Sequence, residues 1–324
     1  MGENARELVW KGDLTRAIAI YLEICYNEEK GLVCNFSLLM SYPIIIGAPH
    51  AQTSIDDPEI RDRIALTDYE IWKCSDPFTD ELDEFTVAYE KHVATTHRLI
   101  CDLNREPDTE RAFHDKDFFG RSVFYRGKKF TAREKKSFLK KFWKPYHDKI
   151  AKSVKALDKQ RPPLILLVDY HNTSGDHTLD NRGAYMPSMV VSNLGKYQHP
   201  EHLEGEDVQV TVPDEILAFF AKDLESRLPL GVEMNDVFHG GYNLRWYQKL
   251  PKLLKLKTPL FAVQFEYNLD LVVNPLTRNI DYAALRVMQE KINESLEQLY
   301  FALERYVEEG TVCDTVSFEK TNIK

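Results

Sequence analysis

The sequence predicts an α/β fold in which a mostly parallel or mixed central sheet is flanked by helices. Three observations point there. Four short apolar runs are continuous rather than alternating, which suits strands covered on both faces. Stretches with helical spacing lie between them, and strands alternating with helices imply crossover connections in a largely parallel sheet. The chain is also long enough, at 324 residues with 43% hydrophobic residues, to bury a sizeable core.

The elements follow in order. Residues 1–40 read as a helical extension, with Ala17, Ile20, Tyr21 and Ile24 on one face of TRAIAIYLEICYNEE. Residues 41–308 read as one α/β domain, and 309–324 as a polar tail that frays. The four apolar runs are YPIIIG (42–47), RLIC (98–101), PLILLVDY (163–170) and LFAVQFEY (260–267). The clearest helix begins at Thr131, where Thr131 and Glu134 form a capping box. Its apolar positions are Phe138, Leu139, Phe142, Trp143, Tyr146, Ile150, Val154 and Leu157. Pro145 falls inside it and should kink it, because proline removes a donor and clashes with the preceding turn. Further helices are expected from Pro213 to Leu228 and from Tyr282 to Glu308.

Composition narrows the function. A formal net charge of −9 argues against nucleic acid or an anionic membrane as the main partner. The Lys-rich stretch from Lys128 to Lys159 reads as the solvated face of a helix. The 5 cysteines are an odd, widely spaced set with no CxxC pair, which suits reduced thiols in a cytoplasmic protein. The N-terminus lacks the basic and apolar regions of a signal peptide. No apolar run approaches the roughly 20 residues needed to span a bilayer.

In sheets of this kind, sites form beyond the carboxyl ends of strands. His50 follows the first apolar run, and Asp102, Asn104 and Arg105 follow the second. Asp169 and His171 close the third run, and Glu266 lies near the end of the fourth. Two histidines, an arginine and carboxylates delivered to one edge form the ligand set of a catalytic zinc site, which takes three protein ligands and leaves a position for water. A nearby carboxylate can take the proton from that water. The third ligand is open on spacing alone. SDPFTDELDEF (75–85) offers Asp76, Asp80, Glu81 and Asp83. Asp76 and Asp80 are spaced to share a helix face.

Seven elements, in order from about residue 43 to 270, resemble the N-formylglutamate amidohydrolase family. APHAQTSI resembles its PHAG element, and SDPFTDEL its D-x-x-x-D-x-L helix. RLICDLNREPD is similar to its IDLNRxPxD strand, and FWKPYHDKI to its WRPYH helix. LLVDYHN resembles DxHS, FHGGYNLRWY resembles FxGGYxTRxYG, and AVQFEYN resembles the QLELxQ strand. The departures are Gln52 for Gly, Asn172 for Ser and Leu244 for Thr, and 173–212 matches poorly.

The resemblance implies a phosphorylase/hydrolase-like fold related to the metallocarboxypeptidases, and hydrolysis of the amide bond of an N-formyl- or N-acyl-amino acid. It implies one zinc ion per chain, held by His50 and His171 with Asp80 or Asp76. It makes Glu266 the general base and gives Asn104 and Arg105 to the substrate's carboxylate or carbonyl, with Arg105 supporting the oxyanion. Arg245 would grip a substrate carboxylate in a bidentate fork. Gly241, with Gly240, would let the backbone approach the ligand, and Tyr242 would offer a hydrogen bond. The partner implied is a small N-acyl amino acid. A hydrolase of another amide or peptide, or a ligand-binding member without turnover, remains open as an alternative.

Overall fold

The structure, a computed structural model, describes residues 41–80, 87–107, 110–173, 187–195, 209–228, 230–274, 277 and 279–313. The expected N-terminal helix, Glu81 and Asp83, and the tail beyond residue 313 lie outside the described residues.

One six-stranded sheet organises the chain. Its strands are β1 (Tyr42–Ala48), β2 (Ala88–Val93), β3 (Ile165–Thr173), β4 (Met189–Ser192), β5 (Val232–Met234) and β6 (Leu260–Asn268). The spatial order is β2-β1-β3-β6-β4-β5. β2, β1, β3 and β6 run parallel; β4 is antiparallel to β6, and β5 is parallel to β4. The sheet is therefore mixed, within the fold class the sequence predicts.

Strand alternation sends successive side chains to opposite faces. Ile44, Ile46, Leu166, Val168, Tyr170, Val263, Phe265 and Tyr267 join one core cluster. It is covered by helices α5 (Asp214–Arg227) and α7 (Tyr282–Cys313). Ile45, Ile165, Leu167 and Ala262 join the other cluster, under α4 (Lys144–Gln160) and α6 (Tyr242–Leu254). Two apolar faces explain why these strands read as continuous runs.

Two short helices, α1 (Pro58–Arg61) and α2 (Asp68–Lys73), follow β1. The long amphipathic segment begins as α3 (Ala132–Phe138), with the Thr131–Glu134 capping box in place. It widens into a π-turn over Leu139–Trp143 and continues as α4, with Pro145 in the first turn of α4. The expected kink is thus taken up by a local change of winding in the turn just before the proline. Tyr146, His147, Ile150, Val154 and Leu157 face inward. Lys140, Lys141, Lys144, Lys152 and Lys155 are exposed.

Some expectations are corrected. RLIC (98–101) is not a strand: it forms a turn closed on the His97 carbonyl, in which Leu99, Ile100 and Cys101 are buried. The second strand is instead AYEKHV, an edge strand whose polar residues hide it from an apolar scan. Residues 75–80 are turn and bend rather than helix, because α2 ends at Lys73, so Asp76 and Asp80 share no helix face. α7 continues past Glu308 to Cys313. Cys74 and Cys101 are buried free thiols.

Candidate active site

The apolar alternation of β3 and β6 changes character toward their carboxyl ends. On the α4/α6 face, Ile165 and Leu167 give way to Asp169 and His171, and Ala262 gives way to Gln264 and Glu266. The register sets Asp169 opposite Gln264 and His171 opposite Glu266. Four polar side chains are thereby gathered on one patch of sheet. His50 arrives just after β1, and Asp76 is brought in by the turn after α2, whose backbone N–H donates to the His50 carbonyl at 3.0 Å.

His50, Asp76 and His171 converge. Their ligand atoms lie within 4.8 Å of one another, and all three residues are buried. Asp76 Oδ2 is 2.7 Å from His171 Nδ1 and 3.3 Å from His50 Nδ1. The two rings have centroids 4.9 Å apart. Each imidazole also meets a buried carboxylate through its far nitrogen: His50 Nε2 is 2.7 Å from Asp102 Oδ1, and His171 Nε2 is 3.0 Å from Asp169 Oδ2. That pairing fixes ring orientation and leaves both Nδ1 atoms turned toward Asp76, the arrangement metal-ligating histidines adopt.

The donor set fits a divalent cation. Bonds near 2 Å in a tetrahedron put donor atoms roughly 3.3 Å apart. His50 and Asp76 already stand at 3.3 Å, and His171 has to retreat by a few tenths of an ångström from its 2.7 Å. Charge fits too. Asp76, Asp102, Asp169 and Glu266 are buried carboxylates, and Arg98 is the buried guanidinium among them, 2.9 Å from Asp102 Oδ2 and 3.8 Å from Asp76 Oδ1. A cation at the trio evens that balance.

The titration of these groups shows the same tension. Burial would raise the Asp76 carboxyl, but His50 and His171 hold it below the usual carboxylate range. Burial would lower the His171 ring, but the charges of Asp169 and Glu266 hold it well above the ordinary imidazole value. Burial pushes Glu266 up to about 8, against the opposing pull of His171. Gln264 donates to Glu266 Oε1 at 2.6 Å and accepts from the Gly241 N–H at 2.8 Å, so the carboxyl is held from its own strand.

A cavity of about 520 Å³ opens over the trio. His50, Asp76, Asn104, Arg105, His171, Gly241, Tyr242, Arg245 and Glu266 line it, so most of the sequence-predicted site residues meet at one place. Asp80 stands apart. It is exposed, outside the converging trio and the cavity lining, and its carbonyl accepts from Lys91 Nζ at 2.6 Å. Lys73, Arg98 and Arg111 add positive charge to the wall, and His239 also lines it.

Residues assigned no site role from the sequence complete the frame. Gln264 carried a readable signal, since it shares a strand face with Glu266. Asn243 carried none in a polar helix start, yet it is fully buried and its side chain donates to Asp169 Oδ1 at 2.8 Å. Asn172, where the resemblance implies serine, donates to the Pro77 carbonyl at 2.5 Å and to the Tyr267 hydroxyl at 2.9 Å, tying the Asp76 turn to β3.

Fold and site together define a class: a mixed α/β protein with a His–Asp–His cluster, competent to hold a metal, at the carboxyl edge of its parallel strands. Within that class the sequence is specific. The chain belongs to the N-formylglutamate amidohydrolase family, whose model matches residues 42–272. It is similar to an N-formylglutamate deformylase of Pseudomonas aeruginosa, at 31% identity over 156 residues, covering 43% of this chain and 56% of that protein. The match thus spans little more than half the length of that relative. Among solved structures, an N-formylglutamate amidohydrolase from Ralstonia eutropha shares the fold with a TM-score of 0.54 and 15% identity, over 83% of this chain and 95% of that one. A gene product of Agrobacterium tumefaciens does so with a TM-score of 0.54 and 16% identity, over 82% and 94%.

Proposed function

We propose that the protein is a cytoplasmic, zinc-dependent amidohydrolase that cleaves the amide bond of an N-formyl- or other N-acyl-amino acid, with one zinc ion per chain. Family membership supports the reaction class. The observation that carries the metal is the convergence of His50, Asp76 and His171, each imidazole backed by its own buried carboxylate. In this reading Asp76, and not Asp80, is the third ligand. When bound, zinc supplies Lewis acidity and favours deprotonation of water near neutral pH.

The chain's own residues do the rest. Glu266 takes a proton from the attacking water and returns it to the leaving amine. Burial raises this carboxyl above the ordinary glutamate value, which makes it a better base for the first step. Arg105 faces the carbonyl oxygen as charge develops there, its guanidinium oriented by a hydrogen bond to the Asn104 carbonyl at 2.8 Å. Arg245 binds the amino acid's carboxylate as a planar fork, with Tyr242 beside it. Asn104 and the Gly241 backbone shape the wall between the two.

The test is release of formate and other acids from a panel of N-acyl amino acids, with metal content measured on the same protein. Formate release with one zinc per chain is the expected result. Glu266→Gln should keep the zinc and lose about 10²–10⁴-fold in turnover. Hydrolysis of peptides in place of N-acyl amino acids would move the protein to another amide substrate. Absence of bound metal together with absence of turnover would make it a ligand-binding member of its family.

A further inference from the structure

Behind the candidate ligands a chain of hydrogen bonds leads away from the cavity. His171 Nε2 meets Asp169 Oδ2, and the other oxygen of that carboxylate accepts from Asn243 Nδ2 at 2.8 Å. The Asn243 amide nitrogen is thereby committed, and its oxygen turns to His147, whose Nε2 lies 3.2 Å away. His147 Nδ1 faces the Trp143 carbonyl oxygen at 2.9 Å, one helical turn back, so both ring nitrogens face acceptors; burial keeps the ring neutral, and the tautomer that serves Asn243 carries its single proton on Nε2. Asn243 reaches Asp169 by a second route: its backbone N–H donates to Asn104 Oδ1 at 2.9 Å, and Asn104 Nδ2 donates to Asp169 Oδ2 at 3.5 Å. Asp169 and Asn243 are 0% exposed and His147 is 2% exposed, and none of the three lines the cavity.

The far end of this chain is immobilised. Trp143 stacks on the His147 ring with centroids 3.8 Å apart and planes at 19°. Trp246 meets the ring edge-on at 4.7 Å, and Tyr146 does so at 5.3 Å. Trp143 Nε1 also donates to the Arg105 carbonyl at 3.0 Å, so the same indole touches both the ring and the cavity wall. The π-turn at Leu139–Trp143 matters here, because one extra residue in the winding resets which side chains α4 turns toward the sheet. A histidine needed only for volume would not require an amide oxygen oriented toward it by a buried carboxylate.

We propose that His147 and Asn243 are positioning residues for the candidate metal centre: they hold Asp169 in the orientation that aims His171 Nδ1 at the ion. This rests on the metal reading given above. Outer partners of metal-ligating histidines commonly contribute 10–100-fold in metal affinity. Here the effect is carried two bonds further out, by an imidazole clamped between aromatic rings.

The experiment uses the full chain and two readouts, zinc affinity by chelator competition and the His171 Nε2 proton resonance in the metal-free protein. Asn243→Ala and His147→Phe should weaken zinc binding by about 10–100-fold. In both, the His171 proton held by Asp169 should exchange faster or disappear. His147→Gln keeps an amide N–H able to donate to the Asn243 oxygen, and should lie closer to wild type than His147→Phe. Val154→Ala, a packing loss further along α4, should leave both readouts unchanged. If Asn243→Ala does not fold, Asn243→Ser carries the same expectation. Variants that bind zinc as tightly as Val154→Ala and keep the resonance would overturn the proposal. A wild-type protein without zinc affinity would defeat the metal reading, and the resonance would still decide whether Asn243 and His147 hold His171.

Discussion

A methyl group added at Gly241 would stand 2.4 Å from Asn104 Nδ2 and 2.5 Å from its Oδ1. Asn104 is buried and pinned between His171, Asp169 and the Asn243 N–H, so it cannot yield without disturbing the site. Gly241→Ala is expected to lower kcat/KM by about 100-fold, the scale of an ångström-sized misplacement. The cost in folding stability should be about 1–3 kcal/mol, the usual cost of overpacking. Steady-state kinetics and urea unfolding on the same preparation separate the two effects. The residue scale is also where the sequence was most legible. His50, His171 and Glu266 stand out because a polar group closing an apolar run needs a reason to be buried. Asp76 could not be told from Asp80, since spacing says nothing about which carboxylate a turn will bury. Asn243 was invisible because its partners, Asp169 and Asn104, lie far away in the chain.

At the scale of elements, the turn around His97 replaces an expected strand and carries a pH-dependent contribution. His97 Nε2 is 3.0 Å from the Ile71 carbonyl oxygen, and its Nδ1 accepts from the Leu99 N–H at 3.1 Å. One nitrogen donates and the other accepts, so the ring is neutral, and burial holds its pKa down to about 3. The unfolded ring takes a proton near pH 6.5. Between those values the unfolded state binds more protons, so stability falls as pH falls through the window, by about 1.4 kcal/mol per pH unit from this group. Urea unfolding at pH 6.5 and pH 5 should show the loss. A His97→Gln variant should be less stable at pH 7 and should show a shallower slope. The apolar run RLIC announced burial correctly but not conformation, because a turn can bury its side chains as fully as a strand. The edge strand AYEKHV escaped for the converse reason: it has one neighbour in the sheet and keeps polar residues. β1, β3 and β6 were legible because both of their faces are apolar over most of their length.

For the whole molecule, the candidate ligands tie together parts of the chain that are distant in sequence, with Asp76 26 residues from His50 and 95 from His171. An unfolded chain cannot present such a set, so zinc binding should stabilise the fold. Zinc at about 1,000 times its Kd should add about 4 kcal/mol. Removing it with a chelator should lower the Tm measured by calorimetry, and His50→Ala should abolish the difference between the two conditions. Fold class was readable from the sequence at this scale, because strand and helix signals alternate. The reversal of β4 and β5 was not, since those strands are short and their neighbours in the sheet are set by packing. That reversal bears on how firmly the cavity floor is built. β4 sets Val190 opposite Glu266 and Ser192 opposite Gln264, while β3 flanks the same two residues from the other side. The strand that presents Gln264 and Glu266 is thus laddered along both edges, so their side chains can turn but their backbone cannot shift without breaking two sets of hydrogen bonds.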